Sequence, residues 1–140
     1  DAHEYAIRQL RFHPQGEQLA SVSEDRTLRL WSLPGGELIH STVAHRTEAT
    51  RLTFAPDGRR IATAGDDGML RLWDPQSWQL LWEHPLQAGQ IWRFCFSGDG
   101  ERLICLCNAH DILILDGSPA EDAPARAPVA TKPPGEGSDD

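Results

Sequence analysis

The chain has 140 residues, enough for one domain with a modest core, and its 39% hydrophobic and 24% charged content is that of an ordinary folded protein. The net charge is −8, with 16 acidic and 11 basic residues in 1–116 and 5 against 2 in the remainder, so neither part carries the positive field a phosphate-backbone binder needs. No apolar run approaches the ~18 residues that span a bilayer, the first residues have no signal-peptide pattern, and three cysteines in no framework spacing fit a reducing, cytoplasmic compartment. Neither nucleic acid nor membrane is expected as a partner.

Read in chain order, the segments alternate between short apolar runs and turns. Ile7 to Phe12 reads as a strand and is followed by the turn His13-Pro14-Gln15-Gly16. Leu19 to Ser23 is a second strand, Glu24 to Arg26 a turn, and Thr27 to Trp31 a third strand. The Pro/Asp/Gly turn recurs as Pro56-Asp57-Gly58 and Gly98-Asp99-Gly100, with glycine supplying the positive φ that closes it. Gln79 to His84 reads as a fourth strand, with Trp82 half-buried on it. Apolar residues occupy both parities, as at Leu19, Ala20 and Val22 or from Ile112 to Leu115, which predicts sheets covered on both faces. From 117 to 140 the composition turns to Ala, Pro, Gly and Asp with Val129 the one larger aliphatic, and a disordered acidic Pro/Ala-rich tail is expected.

Sliding the chain by 42 residues aligns it on itself without a gap. Phe12 falls on Phe54 and Phe96, Gly16 on Gly58 and Gly100, Asp25 on Asp67, and Leu28-Arg29-Leu30-Trp31 on Leu70-Arg71-Leu72-Trp73. The repeats divide the chain into 1–43, 44–85 and a degenerate 86–116, followed by the tail. A period of about 40–45 residues, Ala-His near the start and Leu-Arg-Leu-Trp-Ser or -Asp at the end closely resemble the WD40 family, over Ala2 to Asp116. The resemblance implies an all-β fold: three blades of a β-propeller, eleven strands in antiparallel sheets of four, four and three, the last blade lacking its outer strand. Three blades do not close a ring, since propellers typically have four to eight. The chain therefore looks like the C-terminal blades of a longer, bacterial WD40 protein. The alternative is self-association, for instance two copies forming a six-bladed ring, and the isolated chain is expected to associate through exposed blade faces.

His3, Ser21 and Asp25, repeated as His45, Thr63 and Asp67, invite a nucleophilic-triad reading. The WD40 resemblance implies a different role: hydrogen-bonded structural tetrads, His3-Ser21-Asp25-Trp31 and His45-Thr63-Asp67-Trp73. A motif occurring twice at one spacing fits architecture, because catalysis needs it once. Gln87, Cys105, Ala109 and Leu115 stand at those positions in the third copy, so that blade is expected to hold by apolar packing. Cys105-Leu106-Cys107 with His110 nearby offers thiolate and imidazole donors, but a four-ligand site lacks its last member, and small buried thiols are the expected reading, with no metal and no cofactor.

The resemblance also implies a partner-binding face, formed by residues three and five positions after the tetrad His and the one before the tetrad Asp. Here these slots are Ala6, Glu48 and Gln90; Arg8, Thr50 and Trp92; and Glu24, Asp66 and Asn108. Trp and Arg are common hot-spot types, which marks Arg8 and Trp92. The competing expectation for Trp92 is packing beside Phe94 and Phe96. No nucleophile-elbow, zinc-protease, phosphate-loop, dinucleotide-binding or calcium-loop motif is present. The expected function is a non-catalytic scaffold for proteins or peptides. The alternative is the regulatory or sensor propeller of a multi-domain enzyme, such as a bacterial Ser/Thr protein kinase.

Overall fold

A computed structural model describes residues 2–86, 91–107 and 111–116. Among them are eleven strands and no helix: β1 (Ile7–Phe12), β2 (Gln18–Ser23), β3 (Thr27–Ser32), β4 (Leu38–Val43), β5 (Ala49–Phe54), β6 (Ile61–Gly65), β7 (Met69–Trp73), β8 (Leu80–Pro85), β9 (Ile91–Phe96), β10 (Arg102–Cys107) and β11 (Asp111–Asp116). They form three antiparallel sheets in sequential order, β1-β2-β3-β4, β5-β6-β7-β8 and β9-β10-β11, and the three do not close on themselves. We call these blades 1, 2 and 3. The 117–140 tail lies outside the described residues.

The blades are built alike because the turn chemistry repeats. Gly16, Gly58 and Gly100 each take a positive φ, of 82°, 72° and 75°, in the turn joining the first two strands of their blade. The first strand of every blade also carries a β-bulge at one repeat position. Ile7 pairs with Ser23 and Gln9 with Val22, so Arg8 has no partner opposite; Thr50 and Trp92 are skipped in the same way. A bulge reverses the facing of the later residues in its strand. Ala49, Leu52 and Phe54 therefore face one way in β5, and Ile91, Phe94 and Phe96 do so in β9.

The core lies between blades. Ala20, Val22, Leu28 and Leu30 of blade 1 meet Ala49, Leu52, Phe54 and Ile61 of blade 2. The other face of blade 2, Ala62, Ala64, Leu70 and Leu72, meets Leu103, Cys105, Cys107 and Leu115 of blade 3. Blade 2 thus contributes one set of residues to blade 1 and the alternate set to blade 3, which is why its apolar residues occur at both parities.

Candidate functional site

The residues singled out by the repeat fall into two groups, a pair of buried clusters and a set of exposed positions near them. In each buried cluster the indole fixes the direction of the hydrogen bonds, because its N–H can only donate. Trp31 Nε1–H donates to Ser21 Oγ at 2.9 Å, the hydroxyl passes its own proton toward His3 Nε2 at 2.6 Å, and His3 Nδ1–H donates to Asp25 Oδ2 at 2.8 Å. Blade 2 repeats the order: Trp73 Nε1–H to Thr63 Oγ1 at 2.9 Å, Thr63 Oγ1–H to His45 Nε2 at 2.9 Å, and His45 Nδ1–H to Asp67 Oδ1 at 3.0 Å.

The carboxylates close each circuit. Burial raises the Asp67 carboxyl, but the Arg46 backbone N–H, Arg71 and His45 together outweigh it and bring it down to about 2. Burial likewise opposes ionisation of Asp25, where Thr27, through its hydroxyl and its backbone N–H, and His3 bring it to about 2. Burial holds the His45 imidazole below its ordinary value, and the Arg71 guanidinium, 3.0 Å from Nδ1, adds to that against the pull of Asp67. His45 is therefore neutral at pH 7, in the tautomer with its proton on Nδ1.

The order hydroxyl–imidazole–carboxylate is also that of a nucleophilic triad. Access separates the two. Ser21 and Thr63 have 0% exposure, and each oxygen already accepts an indole proton, so no carbonyl carbon reaches them. Two partners were not apparent from the sequence. Arg71 donates to Asp67 Oδ2 at 2.9 Å and to Ala44 O at 2.9 Å, and its counterpart Arg29 lies 3.8 Å from Asp25; their identical places within Leu-Arg-Leu-Trp were the available signal. Gly65 packs directly under the His45 ring, where a Cβ would come within 2.6 Å of it. No local pattern marks that contact.

Blade 3 has Cys105 and Leu115 at two of the cluster positions, both buried; Gln87 and Ala109 lie outside the described residues. Burial pushes the Cys105 thiol up to about 12, so it stays protonated at neutral pH. His110 lies outside the described residues, and among those described no group of three or more His, Cys, Asp or Glu is placed to hold a metal ion. Nor is any described helix long and apolar enough to cross a membrane.

The other positions, exposed at Arg8, Asp66 and Trp92 and half-buried at Glu24, Glu48 and Thr50, gather around the bulges. Arg8 bridges blades 1 and 2, with Nε 3.1 Å from Glu24 and Nη2 donating to Glu48 at 3.0 Å, and Asp66 adds to the same negative field. Asp66, Thr50, Gly65, Arg51 and Ile91 join Arg8 around a cavity of about 200 Å³. Trp92 does not pack beside Phe94 and Phe96: it is 56% exposed. The bulge is the reason, since it puts Ile91 on the side of those two phenylalanines and turns Trp92 outward. Gln90 and Asn108 lie outside the described residues.

The family model described as "WD domain, G-beta repeat" matches residues 1–32 and 36–74. The chain is similar to the nuclear distribution protein nudF of Aspergillus niger, 46% identical over 44 residues, which is 31% of this chain and 10% of that protein. It is similar to a nucleoporin of Mus musculus, 46% identical over 41 residues, 29% of this chain and 13% of the relative. A regulatory subunit of the 26S proteasome of Saccharomyces cerevisiae is 39% identical over 49 residues, 35% of this chain and 12% of the relative. The matched stretch thus spans only about a tenth of each of these relatives. With the family model covering half its length, two adjoining copies, and the blade architecture on which they lie, the chain belongs to the WD40-repeat family.

Proposed function

We propose that this chain is a non-catalytic scaffold that binds a protein or peptide on the face carrying its β-bulges. The observation that carries the reading is the placement of Trp92: a large aromatic side chain, 56% exposed, at the skipped position of its strand. Aromatic residues left in water on a rigid sheet are typical anchors for a partner, where burial of one side chain supplies a large share of the affinity. Arg8 and Thr50 hold the equivalent positions, and Glu24, Glu48 and Asp66 add carboxylates beside Arg8. We read the two His–hydroxyl–Asp–Trp clusters as structural tetrads beneath this face. They tie the loop before the first strand to the turn between the second and third, and so fix the bulge lying between them. The relatives are named as a nuclear distribution protein, a nucleoporin and a proteasome regulatory subunit, which is consistent with roles in assemblies.

The test is affinity capture of partners on the chain and on two variants, Trp92→Ala and Arg8→Ala, each checked for unchanged unfolding. The expected result is loss of partner from Trp92→Ala and a weaker loss from Arg8→Ala. Undiminished capture by both, with loss on substitution at the far end of the strands such as Arg59→Ala, would place binding elsewhere.

A further inference from the structure

β4 and β8 lie at the edges of their sheets away from β1 and β5. Between them, at the joint of blades 1 and 2, runs an open cleft of about 460 Å³, within the range of roughly 300–1,000 Å³ common for ligand sites. Both blades line it: Arg26 and Val43 from blade 1, Arg46 from the loop joining the two, and Arg71, Leu80 and Glu83 from blade 2. Main-chain hydrogen bonds set the rim. Arg26 O accepts the N–H groups of Ala44 and His45 at 2.9 and 3.3 Å, which holds the β2–β3 turn against the loop leading into blade 2.

The three arginines of the cleft are not equally engaged. Arg71 Nε–H donates to Glu83 at 3.1 Å and Nη1–H to Asp67 at 2.9 Å, so its charge is already met. Arg26 and Arg46 are exposed, and among the described residues neither guanidinium has a hydrogen bond or an ion pair. Beside them Val43 and Leu80 are 64% and 43% exposed. The rim thus presents two open forks of N–H donors next to an aliphatic wall, on a chain whose net charge is −8.

The repeat does not call for this arrangement. Forty-two residues beyond Arg26 and Arg46 stand Gly68 and Ala88, and forty-two before Arg46 stands Glu4. Arg26 takes φ 73° where Gly68 takes 72°, so the turn accepts glycine without strain and carries arginine against it. A side chain that the architecture required would recur, as the two His–hydroxyl–Asp–Trp clusters do.

We propose that this cleft binds an extended acidic segment of a partner protein, one in which a carboxylate stands beside an aliphatic side chain. The carboxylate accepts paired N–H groups from Arg26 or Arg46, the geometry in which arginine recognises it best, and the aliphatic side chain lies on Val43 and Leu80. Charge selects the occupant: a basic or neutral segment would crowd both guanidiniums and leave them without an acceptor. The site lies on the sheet edges opposite those that carry the bulges, so it is separate from the face marked by Trp92 and stands or falls without it.

Selection of a random peptide library on the full chain, followed by affinity measurements on variants, tests this. The expected peptides place Asp or Glu beside Leu, Ile or Val, and bind roughly tenfold or more weakly to Arg46→Glu. Arg26→Gly should weaken them severalfold although it relieves the backbone strain of the turn. Arg59→Ala removes an exposed arginine elsewhere on the chain and should leave their affinity unchanged. Urea unfolding of each variant separates lost binding from lost folding. Four results overturn the proposal: enriched peptides that are basic or neutral, acidic peptides indifferent to both cleft variants, acidic peptides weakened as much by Arg59→Ala as by Arg46→Glu, or no enriched peptide at all.

Discussion

Blades 1 and 2 use nearly the same residues and bury them very differently. Leu10 and Leu52 occupy one repeat position, as do Phe12 and Phe54; the first pair is 47% and 2% exposed, the second 68% and 8%. The residues, the bulge ahead of them and the strand pairing are shared. The neighbour differs: β5 packs against β1 and β2, whereas no described element covers the rear face of blade 1. Burial in this fold is a property of the junction between repeats, so stability per repeat is set by how many sides are covered.

The largest test of that comparison is in the core. Phe54→Ala should cost about 3–5 kcal/mol and Leu52→Ala about 2–5 kcal/mol, because each removes packing and leaves a cavity. At dilutions where the chain is monomeric, Phe12→Ala and Leu10→Ala should stay within about 0.5 kcal/mol, as surface changes do. Urea unfolding of the four variants measures all of this; equal costs in the two blades would show that blade 1 is covered after all.

Next in size is the polar cluster. Asp67→Ala leaves the buried His45 Nδ1–H without its acceptor and removes that of the more exposed Arg46 N–H, at a cost of roughly 1–3 kcal/mol. Asp25→Ala should cost a similar amount, since His3 and the Glu4 N–H lose the same acceptor and the side chains of His3 and Asp25 are 1% and 4% exposed. Here the two blades should agree where the core variants disagree, because each cluster lies within its own blade.

Acid should act on both blades alike. The Asp25 and Asp67 carboxyls sit near 2 in the folded chain against an ordinary 3.8, so their contribution is fully present above about pH 4 to 5 and is lost as pH falls toward 2. It amounts to roughly 1–2 kcal/mol for each. His45, held below its ordinary 6.5 by burial, works in the same direction: the unfolded chain takes up the proton first, so stability begins to fall below about pH 6.5. Unfolding midpoints from pH 7 to 2 should decline in those two windows, and Asp67→Ala should flatten the lower one.

The smallest effect lies in the turn that carries each Asp. Gly68 takes φ 72° at no steric cost, while Arg26 takes φ 73° at the same repeat position. An L side chain there costs on the order of 1 kcal/mol, so Arg26→Gly should stabilise the chain by about 0.5–1 kcal/mol. A loss of stability would mean that the Arg26 side chain contributes contacts worth more than the strain.

The three antiparallel sheets and the turn glycines were legible because a gapless repeat makes every local signal appear two or three times. His3 with Asp25 and His45 with Asp67 could be singled out for the same reason. The orientation of Trp92 could not be read. Counting by twos from Phe96 through Phe94 puts Trp92 on the inner face, and only the pairing register reveals that a bulge breaks the count. The role of Arg71 was hidden too: within Leu-Arg-Leu-Trp it reads as the water-facing half of an alternating strand, yet it reaches Asp67, Ala44 and Glu83. Both are facts of long-range geometry, which periodicity does not encode.

The His–hydroxyl–Asp–Trp chains run in one direction set by the indole, with every hydroxyl, imidazole and carboxylate in them engaged. Nitrogen-detected NMR of the histidine rings tests this most directly, because it reports which ring nitrogen carries the proton and at what pH the second one arrives. For His45 the expected result is a single tautomer with the proton on Nδ1, bonded to Asp67, and titration below the ordinary 6.5. A proton on Nε2, or titration at the ordinary 6.5 as in an open, water-exposed site, would contradict it and return the His45–Thr63–Asp67 cluster to candidacy for chemistry.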